Sequence, residues 1–269
     1  MKNLLKKCVL SFGILMASFW TLKAQNTLIL NSNFLSKPDT SWVFTPENYN
    51  SAKSYPLVFM LHGWDANYKQ WNKIAGLQQY ANDYQFVIVC PDGLNDSWYL
   101  NSPEVKNSQF ESFFIKELYP KILANYSINV SKIFITGLSM GGHGALTIFF
   151  KNLDLFLSAG STSGVLDMRV CAHRFGIPKL LGEKSARNEL RYLDFSAISL
   201  VKNMIGKTKP FIFDCGTEDF FFPSNQEFYK VCEGLKIPVN YSSSEGKHDN
   251  KYWQKTIRLH MDFFKELAK

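Results

Sequence analysis

Beyond its first two dozen residues, this chain has no apolar run approaching the roughly twenty residues that a membrane-spanning helix needs. It has no run of five or more like charges either, so the usual electrostatic footprint of a nucleic-acid binder is missing. Cysteines are few, at positions 8, 90, 171, 215 and 232, and their spacing suits no metal site. No internal repeat, low-complexity tract or long linker divides the chain. These absences leave a single folded unit with no evident call for a metal, a nucleic acid or a lipid bilayer.

The start of the chain stands apart. Lys2, Lys6 and Lys7 precede a mostly apolar run from Cys8 to Leu22, and Lys23-Ala24 follows. That is the layout of a secretory signal peptide over residues 1–24, with cleavage expected after Ala24 and a retained N-terminal anchor as the alternative. Cys8 lies inside the run rather than at its end, which argues against a lipid-modified cysteine. The segment carries four lysines and no acid, so its removal lowers the formal charge from +7 to +3. Residues 25–269 then form a mildly basic chain of a length suited to one large α/β domain, expected to be secreted or periplasmic without stable membrane insertion. Of the four remaining cysteines, Cys90 and Cys215 end or follow strands and are expected to be buried thiols. An exported protein could still pair some of the four.

Short apolar runs alternate with helical patterns. Thr27 to Leu35 and Trp42 to Phe44 suggest an opening antiparallel hairpin. Leu57 to Leu61, Phe86 to Cys90, Lys132 to Thr136, Phe156 to Ser161, Pro210 to Phe213 and Val239 to Ser242 read as strands, the continuous ones buried on both faces. Between them lie helices at about Tyr68 to Asn82, Phe110 to Tyr126, Leu146 to Lys151 and Ser224 to Leu235, and Trp253 to Leu267 closes the chain. The pattern predicts a mostly parallel sheet with helices on both faces. An irregular stretch from about Met168 to Asn203, with a short helix near Ala186 to Leu193, is expected to wall or cover a cleft.

The chemistry gathers around Gly137-Leu138-Ser139-Met140-Gly141-Gly142. Strand, glycine-flanked serine and helix are the context of a nucleophile elbow, where a turn too tight for flanking side chains lifts Ser139 clear of the sheet. A serine hydroxyl needs a base, and the base needs a carboxylate to fix its tautomer. Downstream, Phe213-Asp214-Cys215-Gly216-Thr217-Glu218-Asp219 places acids past a strand, and Glu245-Gly246-Lys247-His248 places a histidine after the last one. Asp219 is the acid that has cleared the tight turn, with Glu218 and Asp214 as alternatives. His62 precedes the serine, His143 is expected to pack beneath the turn, and His173 and His260 have no matching context. His62-Gly63-Trp64 follows a central strand, and Gly63 would let the next backbone N–H, that of Trp64, face the cleft. With the N–H of Met140 it would make a two-donor oxyanion hole.

Leu61-His62-Gly63, Ser97-Trp98-Tyr99, Gly137 to Gly142, Cys215 to Asp219 and Gly246 through Trp253 together resemble the esterase D-type branch of the α/β-hydrolases. That branch includes S-formylglutathione hydrolases, tributyrin esterases, feruloyl and acetylxylan esterases and the antigen 85 mycolyltransferases. The resemblance covers roughly residues 40–265. It implies an α/β-hydrolase fold with Ser139 as nucleophile, Asp219 as orienting acid, His248 as base, and Trp64 and Met140 as backbone oxyanion donors. Many relatives carry a small or aliphatic residue where Trp64 stands, so only its backbone role transfers.

The resulting expectation is an exported serine carboxylesterase that works through an acyl-enzyme and needs no cofactor. Its substrate would be a small-molecule or polysaccharide-linked ester, such as an acyl or feruloyl ester, with Trp98 and Tyr99 either stacking on a ring or anchoring their own loop. Transfer to a sugar acceptor and a catalytically silent binding protein on the same fold are the alternatives.

Overall fold

The computed structural model describes residues 25–186 and 188–269; the expected signal segment, residues 1–24, lies outside them. Among the described residues eight strands form one sheet: β1 Gln25–Leu30, β2 Asp39–Phe44, β3 Tyr55–Leu61, β4 Val87–Cys90, β5 Ile128–Gly137, β6 Ser158–Thr162, β7 Phe211–Gly216 and β8 Val239–Ser244. Their order is β1-β2-β4-β3-β5-β6-β7-β8. The first two pairings in that order are antiparallel and the rest are parallel. The opening hairpin therefore forms as expected and extends an otherwise parallel sheet.

Among the described residues ten α-helices cover the sheet: α1 Gln70–Ala75, α2 Leu77–Tyr84, α3 Phe110–Phe113, α4 Tyr119–Asn125, α5 Met140–Lys151, α6 Ile177–Leu181, α7 Glu189–Asp194, α8 Ala197–Leu200, α9 Phe222–Gly234 and α10 Asn250–Leu267. The helix expected over Tyr68 to Asn82 is two, because Gly76 takes φ +61° and its N–H closes on Asn72 O. That is a left-handed C-terminal stop, and the chain restarts at once as α2. The helix expected over Phe110 to Tyr126 is continuous but widens to a π turn at Phe114–Leu118. The stretch from Met168 to Asn203 is more ordered than its sequence suggests and holds α6, α7 and α8.

Apolar side chains fill both faces of the sheet. One cluster gathers Leu57, Phe59, Phe110, Phe113, Phe114 and Phe149. The other gathers Val58, Met60, Trp71, Phe134, Ile257 and Phe264. Helix α5 is buried from Met140 to Phe150, which explains why its sequence is apolar all round. Helix α10 is amphipathic, burying Tyr252, Trp253, Thr256, Ile257, His260, Met261 and Phe264 at the spacing of one helix face. Cys90, Cys171, Cys215 and Cys232 are all buried and unpaired. Burial raises each thiol's pKa, to about 12 for Cys171 and Cys232 and higher for Cys90 and Cys215.

Candidate active site

Strand β5 delivers Ser139 to a turn with φ +53° and ψ −117°, a conformation that costs a non-glycine residue about 1–3 kcal/mol. Neighbouring backbone holds it there: Ser139 N–H donates to Thr162 O at 3.0 Å, and Ser139 O accepts from His143 N at 3.1 Å. The flanking glycines are required by close approach. A Cβ on Gly137 would lie 2.3 Å from the Gly141 carbonyl carbon, and one on Gly141 would lie 2.2 Å from Leu61 O. The turn can close only where both side chains are absent.

Two loops bring the other groups to it. After β7, Asp219 N–H donates to Gly216 O at 3.1 Å, and the loop is tied to the histidine segment by Glu218 N–H donating to Gly246 O at 3.0 Å. His248 Nε2 then lies 2.9 Å from Ser139 Oγ, and Nδ1 lies 2.8 Å from Asp219 Oδ2. The other carboxylate oxygen of Asp219 accepts the Phe221 N–H at 2.8 Å, so the acid is fixed on both sides. Asp219 is buried, whereas Glu218 is exposed and pairs with Lys247. Asp214 turns away to His260 at 2.8 Å. Of the three acids in that segment, Asp219 meets His248.

Aromatic rings cage the imidazole. Phe220, Trp253 and Phe221 have ring centres 4.5, 5.0 and 5.3 Å from that of His248. A cavity of about 160 Å³ opens above Ser139, walled by Trp64, Trp98, Phe175, Phe220 and Trp253 among others. Phe175 comes from the stretch before α6, so that stretch does wall the cleft. Its carbonyl accepts the Trp98 indole N–H at 2.9 Å. Phe175, Phe220 and Phe221 escaped the sequence reading; the Phe220-Phe221-Phe222 run directly after Asp219 was the available signal.

Met140 opens α5, so its N–H has no acceptor within that helix. Gly63 packs against the elbow, where a Cβ would come within 3.6 Å of Ser139 Cβ. Gly63 N–H donates to Gln70 Oε1 at 2.8 Å, which braces the strand end just before Trp64. The indole of Trp64 is 42% exposed at the cavity mouth and meets the Phe175 ring at 5.3 Å. With a serine hydroxyl, a relayed imidazole and amides at a helix start, the arrangement can support nucleophilic attack on a carbonyl carbon.

Trp98 and Tyr99 part company. Trp98 is buried but its ring lines the cavity. Tyr99 is a correction to the sequence reading: it is fully buried away from the cavity, its hydroxyl donates to His62 O at 3.0 Å, and its ring fills the space left by Gly144. It anchors the loop beneath His62. The remaining histidines are elsewhere. His62 and His143 are buried, with pKa values lowered by desolvation, to about 3 for His143. His143 Nδ1 lies 3.2 Å from Val165 O, beneath the turn as expected. His173 is exposed. Among the described residues, no three His, Cys, Asp or Glu side chains gather to hold a metal ion. No described helix is long and apolar enough to cross a membrane.

Comparison with known proteins agrees with this geometry. Residues 32–262 match the model of the Esterase family, described as "Putative esterase". The S-formylglutathione hydrolase of Mus musculus is 28% identical over 235 residues, covering 78% of this chain and 82% of the relative. An acetyl esterase of Caldicellulosiruptor saccharolyticus is 27% identical over 269 residues, covering 91% and 95%. The structure of FphF, a fluorophosphonate-binding serine hydrolase of Staphylococcus aureus, superposes with a TM-score of 0.79 at 21% identity, covering 90% of this chain and 98% of that one. The fold is that of the α/β-hydrolases, and the chain belongs to the Esterase family of serine hydrolases acting on carboxylic esters.

Proposed function

We propose that Ser139 is the nucleophile, His248 the base and Asp219 the orienting acid of this esterase. The observation that carries the reading is the unbroken chain from Ser139 Oγ through His248 to Asp219, at 2.9 and 2.8 Å. Ser139 Oγ attacks the ester carbonyl carbon while its proton passes to His248 Nε2. The backbone N–H groups of Met140 and Trp64 receive the oxyanion, one such donor being worth about 3 kcal/mol. The tetrahedral intermediate collapses, the ester C–O bond breaks, and His248 returns the proton to the leaving alcohol. Water, deprotonated by His248, then releases the acid and restores Ser139. Asp219, fixed by Phe221 N–H, keeps the imidazole in the tautomer that serves both steps. A fluorophosphonate probe tests the assignment: label on Ser139, and none on Ser139→Ala, is expected. Equal labelling of both proteins would refute it.

The cavity narrows the substrate. At about 160 Å³ it is smaller than the roughly 300–1,000 Å³ of ordinary small-ligand pockets, which favours a short acyl group. Among the described residues its lining has no lysine or arginine to receive the carboxylates of a glutathione thioester. Exposed Trp64 and Phe220 at the mouth suit an uncharged, ring-bearing alcohol portion, such as an acylated sugar. The named acetyl esterase relative supports this direction. The amino-terminal layout supports export, with residues 25–269 as the esterase domain and its substrate met outside the cytoplasm as a small or polysaccharide-linked ester. A panel of p-nitrophenyl acetate, butyrate and octanoate, methyl ferulate, acetylated xylan and S-formylglutathione tests the substrate. Acetyl esters should lead, and a preference for octanoate or the thioester would overturn the reading. Mass analysis of exported protein should find a chain beginning at Gln25.

A further inference from the structure

Behind the candidate triad lies a second hydroxyl–imidazole–carboxylate chain, wholly inside the molecule. His260 Nδ1 is 2.8 Å from Thr136 Oγ1, and its Nε2 is 2.8 Å from Asp214 Oδ2. Thr162 donates its hydroxyl to Asp214 Oδ1 at 2.8 Å and sits 2.9 Å from Thr256 Oγ1. Thr162 has one proton and gives it to Asp214, so Thr256 is the donor in that last contact. With the Nε2 proton directed at Asp214, His260 Nδ1 accepts from Thr136. All five residues are buried, so no substrate reaches them and none is a catalytic residue.

Their placement is specific. Thr136 is on β5, three residues before Ser139. Thr162 is on β6, and its carbonyl accepts the Ser139 N–H. Asp214 is on β7, which leads to Asp219. Thr256 and His260 are on α10, which begins two residues after His248. Gly160 leaves the room, since a Cβ there would lie 2.6 Å from His260 Nδ1 and 2.8 Å from Thr136 Oγ1. A buried carboxylate is costly, and apolar side chains would join a helix to a sheet more cheaply. What they would not supply is direction. Hydrogen bonds have a preferred length and direction, so they fix how far α10 sits along the strands.

We propose that Thr136, His260, Asp214, Thr162 and Thr256 are positioning residues that set the separation of the three segments carrying Ser139, His248 and Asp219. The inference rests on the triad reading above. The Ser139–His248 contact of 2.9 Å is lost beyond about 3.5 Å, so a small shift of α10 disconnects the base from the nucleophile. Misplacement of this kind weakens transition-state stabilisation while leaving ground-state binding intact, so it lowers kcat and spares KM.

The test uses the full chain, with active sites counted by fluorophosphonate labelling run to completion and p-nitrophenyl acetate as substrate. Thr136→Val keeps the shape and removes one hydroxyl; kcat per labelled site should fall about tenfold with KM unchanged within about twofold. Thr136→Ser restores the hydroxyl and should recover wild-type kcat. His260→Phe removes both contacts and should cost about a hundredfold; if it fails to fold, the Thr136 pair still decides. A Thr136→Val enzyme with lowered Tm but wild-type kcat per site would show that the chain only fills the core, and the inference would fall alone. Wild-type protein that neither labels at Ser139 nor hydrolyses the ester would overturn the triad reading and this inference with it.

Discussion

At Ser139 the backbone carries strain. Its φ of +53° suits glycine better than serine. Ser139→Ala should reduce turnover at least about a thousandfold, measured as initial rate on p-nitrophenyl acetate. Ser139→Gly should be equally inactive yet more stable than Ser139→Ala by about 1 kcal/mol, read from urea midpoints, because it removes the Cβ that the turn disfavours. Asp39 shows a different cost. It is buried beside Asp92, and desolvation pushes its pKa up to about 6, against a Ser41 hydroxyl bond that opposes the shift. A carboxyl raised in the fold stabilises the protein fully below its unfolded value of 3.8, and that contribution is lost as pH rises through 6. Asp39→Asn should therefore gain up to about 3 kcal/mol over wild type at pH 8 and nothing at pH 4, by urea denaturation. Ser139, Asp219 and His248 were legible in sequence because each sits beside a strand end and a glycine. Tyr99 was not. It and Trp98 both take positive φ, and only their packing shows that one ring meets the cavity while its neighbour turns into the core.

At the scale of elements, the loop before α10 is the most exacting segment. Gly246 takes φ +157°, and a Cβ there would lie 2.2 Å from Tyr252 Cδ2. Gly246→Ala must push that ring or the loop aside, two residues from His248. It should reduce kcat/KM about a hundredfold while the circular dichroism spectrum stays native. Gly234 at the end of α9 is the control, since nothing lies within 4 Å of a Cβ there. Gly234→Ala should keep full activity and gain about 0.5–1 kcal/mol of stability, because alanine loses less backbone entropy in a helix. The strands were legible because β4 is a continuous apolar run, β3 carries one from Leu57 to Leu61 and β7 opens on Phe211-Ile212-Phe213, all buried or nearly so. The first half of β5 was not. Ile128-Asn129-Val130-Ser131 alternates apolar and polar residues but is only partly buried, with Val130 and Ser131 exposed, so it lacks the continuous apolar run that marks the second half. Helix α10 was legible in its core but starts earlier than its apolar spacing indicates, because the Asp249 side chain caps it by accepting the Tyr252 N–H at 3.0 Å.

At the scale of the whole molecule, acid acts through its buried histidines. His62 and His143 are neutral in the fold because burial lowers their pKa values, and they take up protons near pH 6.5 once unfolded. Their contribution is complete above 6.5 and is lost as pH falls, by about 1.4 kcal/mol per pH unit for His143 down to about pH 3. Asp39 works in the opposite sense between 6 and 3.8. Urea midpoints should therefore fall steadily on acidification below about pH 6.5, and more steeply in Asp39→Asn. A midpoint constant from pH 7 to 4 would contradict this. The four cysteines among the described residues set a further property. Each is unpaired and buried, and the reactive thiolate is suppressed by its raised pKa. Among the described residues no disulfide braces the fold, and dithiothreitol should leave its melting temperature unchanged. A fold held together without such braces should keep the same stability in a reducing host cytosol as in an oxidising compartment.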